Sequence, residues 1–219
     1  ISGQLKPGEF TVPGDVSSQY ITGLLLALPM LKEDSRIKIE GLLESASYVD
    51  LTIRVMQHFG VKVERQVNGY FVQGGQKYLQ TPYTAEGDYS QAAFWLTANY
   101  LGSDIDVTGL DPSSVQGDKK IKEILYEYAN FTQMHEKEKN EINGNILLNI
   151  LGKQKEKAVF EIDASQIPDL IPVICVAAAN TDAITRIVNA ARLRLKESDR
   201  IKTSCELIKS IGGTVAEKK

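Results

Sequence analysis

Three segments of the chain share one order of hydrophobic and polar positions. In each segment an aspartate precedes a run of apolar residues that is typical of a buried helix. A β-branched stretch follows, then a polar loop that ends in a second aspartate, and then an amphipathic helix. The first aspartates are Asp15, Asp88 and Asp169, and the second ones are Asp50, Asp118 and Asp199. Repetition at this scale predicts an α/β fold in which one unit is used several times.

The β-branched stretches predict one strand in each repeat: RIKIEG at 36–41, DIDVTG at 104–109 and AITRIV at 183–188. In the first repeat the second helix is followed by VKVERQVNGYFVQ. This segment reads as a hairpin, because Asn68-Gly69 is a strong turn signal between two β-rich runs. The first repeat is therefore predicted to be a β-α-β-α-β-β unit.

The other two repeats depart from this unit near their ends. In the first and third repeats glycine ends the second helix, and the segments FGVKVE and IGGTV predict a strand after it. In the second repeat a charged segment predicts a hairpin with a long exposed turn near residues 136–157. The third repeat stops where its hairpin should continue, so it is predicted to be truncated. Turn residues in PYTAEGD at 82–88 predict a domain junction, with residues 1–85 in one domain and 86–219 in another.

The composition mainly argues against certain partners and sites. The net charge of the 219 residues is -3 and the basic residues form no extended patch, so no nucleic-acid partner is expected. The apolar runs are too short to cross a bilayer and the first residues lack an apolar leader, so we expect a cytoplasmic protein without a membrane partner. Cys175 and Cys205 lack CxxC spacing, which argues against a disulfide or zinc site. His58 and His135 are interpreted as structural or surface residues.

The first candidate site is the start of the apolar helix that follows Asp15. Ser17, Ser18 and Gln19 lie at its predicted first turn. Free backbone N–H groups and the positive helix end favour an anion there, and the serine hydroxyls would add donors to a phosphate. The alternative is plain helix capping by Asp15 or Ser17.

Two other helix starts carry polar groups. The segment SYVD at 47–50 has the character of a capping box. Asp169 follows Pro168 at a third helix start. It is either an N-cap or a general base for a substrate proton within reach.

The second candidate site is LKESDR at 195–200, between a predicted strand and a predicted helix. Lys196, Glu197 and Arg200 supply two cations and an acid. Arginine offers a fork for a carboxylate or phosphate, lysine a point charge, and the glutamate can orient or titrate between them. The alternative is a solvated ion-pair cluster that contributes little to stability. The motifs GxxxxGK, HExxH and GxSxG are absent from the sequence.

Taken together, the motifs DVSSQ, SASYVD, EGDYSQ, IPDL and LRLKESDR cover nearly the whole chain. In this order and spacing they resemble the 3-phosphoshikimate 1-carboxyvinyltransferase (EPSP synthase) family of enolpyruvyl transferases. The resemblance implies an inside-out α/β barrel fold with two domains of three β-α-β-α-β-β units each, and an active site in the cleft between them. Residues 1–85 would be the last unit of one domain. Residues 86–219 would be one complete and one truncated unit of the other.

The resemblance also implies a reaction and the residues that perform it. Enolpyruvyl moves from phosphoenolpyruvate to the 5-hydroxyl of shikimate 3-phosphate, and phosphate is released, with neither a metal nor an organic cofactor. Gln19 and Arg200 match phosphoenolpyruvate-binding positions. Asp169 would accept the proton of the 5-hydroxyl, Lys196 would shuttle protons, and Glu197 would assist proton transfer to the methylene carbon. The positions that match shikimate 3-phosphate contacts are Ser17, Ser18, Gln19, Ser45, Asp169 and Lys196.

Some features depart from the family pattern. Arg192 stands where some members have asparagine. The family's N-terminal contacts, central glycine-arginine pair and C-terminal arginine and lysine have no match, so the chain is expected to be an internal fragment of a monomeric enzyme. The exposed strand edges of such a fragment predict self-association.

Two alternative functions remain open from the sequence. One is an inactive fragment that acts at most as a phosphate-binding module. The other is a UDP-N-acetylglucosamine enolpyruvyl transferase, which shares the fold. That enzyme is expected to have a reactive cysteine in a glycine-rich loop, whereas Cys175 and Cys205 lie in predicted apolar helices.

Overall fold

The structure, a computed structural model, describes residues 3–144 and 158–217. Two compact units divide the chain: unit 1 comprises residues 1–86 and 113–117, and unit 2 comprises residues 87–112 and 118–219. The helices are α1 Ser18–Ala27, α2 Ala46–His58, α3 Tyr89–Tyr100, α4 Ile121–Gly144, α5 Ile171–Ala178 and α6 Arg200–Ser210. The strands are β1 Glu9–Pro13, β2 Ser35–Glu40, β3 Glu64–Gln66, β4 Gly69–Val72, β5 Val159–Asp163 and β6 Ile184–Val188.

Unit 1 follows the order β1-α1-β2-α2-β3-β4, which confirms the unit predicted for the first repeat. Its sheet has the strand order β1-β2-β4-β3. β1 and β2 are parallel, with α1 as their crossover, whereas β4 is antiparallel to both β2 and β3. The apolar sides of α1, α2 and the sheet form one core, which includes Ile21, Leu25, Ile37, Val49, Met56 and Tyr70. This burial explains why the apolar periodicity of the first repeat is regular.

The β3–β4 hairpin turns one residue earlier than the sequence pattern predicts. Gln66 pairs with Gly69, so Val67 and Asn68 form the turn. Gly69 lies in β4 with a φ of 145°. A Cβ atom there would lie 1.8 Å from the carbonyl oxygen of Ile37 on β2. The glycine is required by the close approach of two strands and not by the turn itself.

Unit 2 contains a second parallel strand pair, β5 and β6, which α5 connects. Tyr128 of α4 is fully buried beside this pair. Its ring meets Phe160 of β5 edge-on with 5.0 Å between the centroids, and its hydroxyl lies 2.9 Å from Oγ1 of Thr185 on β6. One aromatic side chain therefore holds α4 against both strands. Within the ranges that the structure describes, no helix is long and apolar enough to cross a membrane.

Several predictions for the second and third repeats are wrong. Segment 104–109 alternates half-buried and exposed residues, but it pairs with no strand among the described residues. The amide of Asn99 holds it instead, donating to the carbonyl of Ile105 and accepting from its N–H. The segment IGGTV forms a turn and no strand. Residues 131–144 do not enter a hairpin but continue α4, since their many Glu and Lys residues favour helix. The rest of that predicted turn, 145–157, lies outside the described residues.

Candidate active site

The candidate residues of unit 2 lie on two loops that leave the same edge of the β5–β6 pair. β5 continues through loop 164–170 into α5, and β6 continues through loop 189–199 into α6. Because the two strands are parallel, their carboxyl ends lie side by side, and this edge is where ligands bind in many α/β sheets. The first loop carries Asp169 and the second carries Lys196 and Glu197, while Arg200 begins α6.

Arg200 joins the two candidate carboxylates. Its Nη1 donates to Oδ1 of Asp169 at 2.5 Å, and its Nη2 donates to Oε2 of Glu197 at 3.3 Å. Asp169 is therefore not the N-cap that the sequence allowed. The N-cap position of α5 is Leu170, which makes no side-chain capping bond, and the arginine draws the aspartate across to the other loop. Glu197 is 80% exposed, so a ligand can reach it.

The electrostatic surroundings of Lys196 and Glu197 differ. Burial lowers the pKa of Lys196, and the positive charge of Arg192 lowers it further, while the charge of Asp169 opposes this. The pKa of Glu197 is lowered by a hydrogen bond from its own backbone N–H and then by the charge of Arg200. At neutral pH the carboxylate is therefore ionised, and the amine holds its proton less firmly than an exposed lysine does.

Arg192 is almost fully buried, at 5% exposure, at the root of the second loop. Its Nη2 donates to the backbone carbonyl of Ser165 in the first loop at 3.3 Å. This position therefore connects the two loops. Its charge also acts on the lysine that the sequence placed in the site.

The remaining charges of the second loop have a structural role. Asp199 is the N-cap of α6 and accepts from the backbone N–H of Lys202 at 3.0 Å. Arg194 donates to Asp199 at 2.6 Å and also forms an ion pair with Glu217. The charged run at 194–200 thus divides into a capping pair and the group that surrounds Asp169.

The candidate residues of unit 1 occupy a second edge of the same kind. β1 leads to Ser17 and β2 leads to Ser45, and the two loops are bonded to each other. The backbone N–H of Glu44 donates to the carbonyl of Gly14 at 3.0 Å. A Cβ atom at Gly14 would lie 2.6 Å from the carbonyl oxygen of Leu42, so only glycine allows this approach.

The start of α1 has both a capping bond and an exposed polar side chain. Ser17 is the N-cap, and its hydroxyl accepts from the backbone N–H of Gln19 at 3.3 Å, so the capping interpretation holds for this residue. Ser18 is buried, whereas Gln19 is exposed. The capping interpretation does not exclude an anion, because a helix start offers several free N–H groups.

The start of α2 differs from the predicted capping box. The N-cap position is Ser45, with a left-handed φ of 56° and no side-chain capping bond. Ser47 therefore lies inside the first turn, and its hydroxyl is buried. Asp50 does not cap the helix but forms an ion pair with Arg65 at 3.0 Å. The capping box prediction is wrong because the chain enters the helix two residues earlier.

Two polar residues at the root of the unit 2 loops were not singled out by the sequence analysis. They are Asp163, the last residue of β5, and Asn189, which directly follows β6. The signal that could have found them is their position, since polar residues just after buried parallel strands lie at the ligand edge of a sheet. Among the described residues, no group of three or more His, Cys, Asp and Glu side chains could hold a metal ion.

Comparisons with known proteins concern the chain as a whole. The EPSP synthase (3-phosphoshikimate 1-carboxyvinyltransferase) family matches residues 1–219. The 3-phosphoshikimate 1-carboxyvinyltransferase of Clostridium acetobutylicum is 43% identical over 218 residues, which are 99% of this chain and 48% of that protein. The enzyme of the same name from one strain of Clostridium perfringens is 44% identical over 221 residues, covering all of this chain and 50% of that protein.

A solved EPSP synthase from Acinetobacter baumannii matches the fold with a TM-score of 0.60 at 21% identity, over 94% of this chain and 45% of that one. The chain spans about half the length of the curated relatives that it matches. The sequence match covers the whole chain, and the solved structure shares its fold. The chain therefore belongs to the EPSP synthase (3-phosphoshikimate 1-carboxyvinyltransferase) family.

Proposed function

We propose that the protein containing this chain transfers the enolpyruvyl group of phosphoenolpyruvate to the 5-hydroxyl of shikimate 3-phosphate and releases phosphate. The names of its relatives support this reaction. The observation that carries the proposal is the contact of one guanidinium, Arg200, with Asp169 and Glu197 beside the half-buried Lys196. Two carboxylates, an amine with a lowered pKa and an arginine fork are the groups that proton transfer between two anions needs.

Anion binding would use both edges. In unit 1 Ser17, Ser18 and Ser45 would bind the phosphate of shikimate 3-phosphate at the starts of α1 and α2. Gln19 would contact both substrates. In unit 2 Arg200 would bind phosphoenolpyruvate, because its fork matches a carboxylate or phosphate. The ligand would compete with Asp169 and Glu197 for that fork, so binding would release the carboxylates from their ion pairs.

The proton steps would use Asp169, Lys196 and Glu197, and the pKa values of Lys196 and Glu197 are lowered. Asp169 would accept the proton of the 5-hydroxyl while the hydroxyl oxygen forms a bond to C2 of phosphoenolpyruvate. Lys196 would deliver a proton to the methylene carbon, because burial makes the protonated amine a stronger acid than usual. Glu197, which is ionised, would take a proton from the resulting methyl group as the C–O bond to phosphate breaks and the double bond returns.

The UDP-N-acetylglucosamine alternative finds no support at the cysteines. Cys175 lies in α5, and burial raises the pKa of its thiol to about 11. A thiol with so high a pKa is protonated and unreactive at neutral pH. Cys205 lies within α6 and not in a glycine-rich loop. Both cysteines are free thiols.

The proposal extends to the organisation of the whole protein. Residues 1–85 would belong to one domain and residues 86–219 to the other. The enzyme would be a cytoplasmic monomer that binds two small anionic substrates. The isolated chain would self-associate through open strand edges and would bind phosphate without turnover.

The test is release of inorganic phosphate by the longest natural polypeptide that contains these residues, with both substrates present. We expect Asp169→Asn and Lys196→Met to lower kcat by about 10²- to 10⁴-fold, the usual contribution of a general acid or base. Arg200→Lys keeps the charge but loses the fork, so it should raise KM for phosphoenolpyruvate.

Lys202→Met is the matched control on α6. The side chain of Lys202 is 70% exposed and pairs with Glu206 at 3.9 Å. It should leave both constants unchanged. The proposal is wrong if the unaltered protein releases no phosphate, or if this control loses as much activity as Lys196→Met.

A further inference from the structure

The carboxylate of Asp163 accepts hydrogen bonds from the first residues of both unit 2 loops. Its Oδ1 accepts from the backbone N–H of Ser165 at 2.8 Å, at the start of the loop that leads to Asp169. Its Oδ2 accepts from Nδ2 of Asn189 at 2.9 Å, at the start of the loop that leads to Lys196. The two loops are therefore joined before either reaches the candidate site.

The position of Asn189 is set by its backbone. It has a φ of 52°, a left-handed conformation that asparagine tolerates better than most residues. The backbone pairing of β5 and β6 extends one step beyond Asp163, because the N–H of Ala164 donates to the carbonyl of Val188 at 3.0 Å. The left-handed residue follows directly, and it directs its amide back to the aspartate.

Further bonds join the same loops closer to the site, among them one from Arg200 to the carbonyl of Pro168 at 3.4 Å. Arg192 donates to the carbonyl of Ser165 at 3.3 Å, and Arg200 donates to Asp169 at 2.5 Å. The bond at Asp163 is the one nearest the strands. A ligand that takes Arg200 away from Asp169 would leave the bonds of Asp163 and Arg192 to hold the two loops together.

With asparagine at position 189, a carboxylate suits this place because it accepts at both oxygens. Two N–H donors face the side chain, one on each oxygen, and an amide would turn its own N–H groups towards one of them. The bonds from Ser165 are also the main reason that the pKa of Asp163 is lowered, so the group is charged and accepts at both oxygens at neutral pH.

We infer that Asp163 is a positioning residue: by bonding Ser165 and Asn189 at once, it fixes the loop that carries Asp169 relative to the loop that carries Lys196. This inference rests on the proposed function of those two loops. Asp163 touches neither substrate nor proton in this scheme. It sets the distance between the base Asp169 and the acid Lys196, which must act on the same pair of molecules.

The test is a reciprocal exchange in the longest natural polypeptide that contains these residues. Asp163→Asn replaces two charge-assisted bonds by weaker neutral ones, and Asn189→Asp places two carboxylates face to face. The double variant restores one bond with the opposite polarity. We expect each single variant to lower kcat by about 10- to 100-fold, with KM changed much less, since small displacements of catalytic groups have effects of this size. The double variant should recover at least about tenfold of that loss.

The matched control is Glu161→Gln, on the same strand and two residues before Asp163. Glu161 forms a 3.6 Å pair with Arg186 across the same two strands, and both side chains are well exposed. It should leave kcat unchanged. Thermal unfolding of every variant verifies that the fold is retained. If Asp163→Asn does not fold, the comparison of Asn189→Asp with the double variant still tests the inference.

A second readout does not depend on activity. The pKa of the Lys196 amine, followed by NMR after isotope-labelled dimethylation, should shift in each single variant, because the loop that carries Asp169 moves relative to it, and return in the double variant. If the unaltered protein has no transferase activity, the proposed function fails, and this titration alone decides the inference. Single variants with full kcat, no recovery in the double variant, or an unchanged Lys196 pKa would each overturn it.

Discussion

Substitution of Ser17 by aspartate separates helix capping from anion binding at the start of α1. Ser17 has the extended backbone of an N-cap, and its hydroxyl accepts from the N–H of Gln19. Aspartate and asparagine cap helices as well as serine does, and aspartate also interacts favourably with the positive helix end. Ser17→Asp and Ser17→Asn should therefore keep the free energy of unfolding within about 0.5 kcal/mol of its original value.

The effect on binding should be much larger for the charged variant. If a phosphate of shikimate 3-phosphate binds at this helix start, a carboxylate about 5 Å from it repels each unit of charge by about 3 kcal/mol at an effective dielectric constant of about 20. For each unit of charge on the phosphate this corresponds to a loss of affinity of about a hundredfold. Ser17→Asn removes a hydroxyl donor without adding charge, so it should lose only about tenfold.

The assay is calorimetric titration with shikimate 3-phosphate at low ionic strength, beside urea unfolding of the same variants. The comparison of Ser17→Asp with Ser17→Asn isolates the charge, because both keep the cap. Equal affinities for these two variants would refute the placement of a phosphate at Ser17. Ser17→Ala provides the opposite case, with the cap lost and about 1 kcal/mol of stability removed.

Three other predictions concern stability. Gly69→Ala should lower the free energy of unfolding in urea by about 2–4 kcal/mol, because its Cβ would meet the carbonyl oxygen of Ile37 at a φ that alanine avoids; an unchanged midpoint would contradict this. Tyr128→Phe should cost about 1 kcal/mol through its lost bond to Thr185, and nothing further once Thr185→Val is present. The thiol of Cys175 has a pKa of about 11, above its ordinary value of 9.0, so the stability it adds is complete below pH 9 and declines as the pH rises through 11; Cys175→Ala should lack this decline.

The order of strands and helices in the first repeat could be predicted from the sequence because local and tertiary preferences agree there. The apolar positions that set the helix period, such as Ile21 and Met56, are the ones that the sheet buries. The starts of the helices after Asp88 and Asp199 could also be predicted, and in the structure each aspartate accepts from backbone N–H groups two or three residues further on. These bonds need no partner from a distant segment.

The failed predictions concern positions where distant contacts decide. Segment 104–109 has the alternation of a strand, but alternation does not supply a neighbouring strand, and the Asn99 amide bonds its backbone instead. For Asp169 the sequence left a cap or a general base open, and the cap does not form because Arg200 from the other loop provides a stronger partner. The first residues of α2 likewise follow the left-handed turn at Ser45 and not the capping pattern.

The candidate site could be predicted as a set of residue types but not as an arrangement. The motifs around Lys196 and Asp169 are visible as polar residues after predicted strands. Their contact through Arg200 depends on the parallel register of β5 and β6, which one sequence does not contain. The bond between Asp163 and Asn189 depends on the same register, so the sequence alone does not predict it.

The parallel strand pairs also imply an order of folding. Gln66 pairs with Gly69 across a two-residue turn, whereas a whole helix lies in the chain between Glu9 and its partner Arg36, and between Val159 and its partner Ile184. Because closing a long loop is slower than closing a turn, we expect the β3–β4 hairpin to form early and both parallel pairs late. The edges that would hold the substrates are completed only in that late step. Binding of a ligand there would therefore report that folding has finished, and partly folded chains would gain none of its stabilisation.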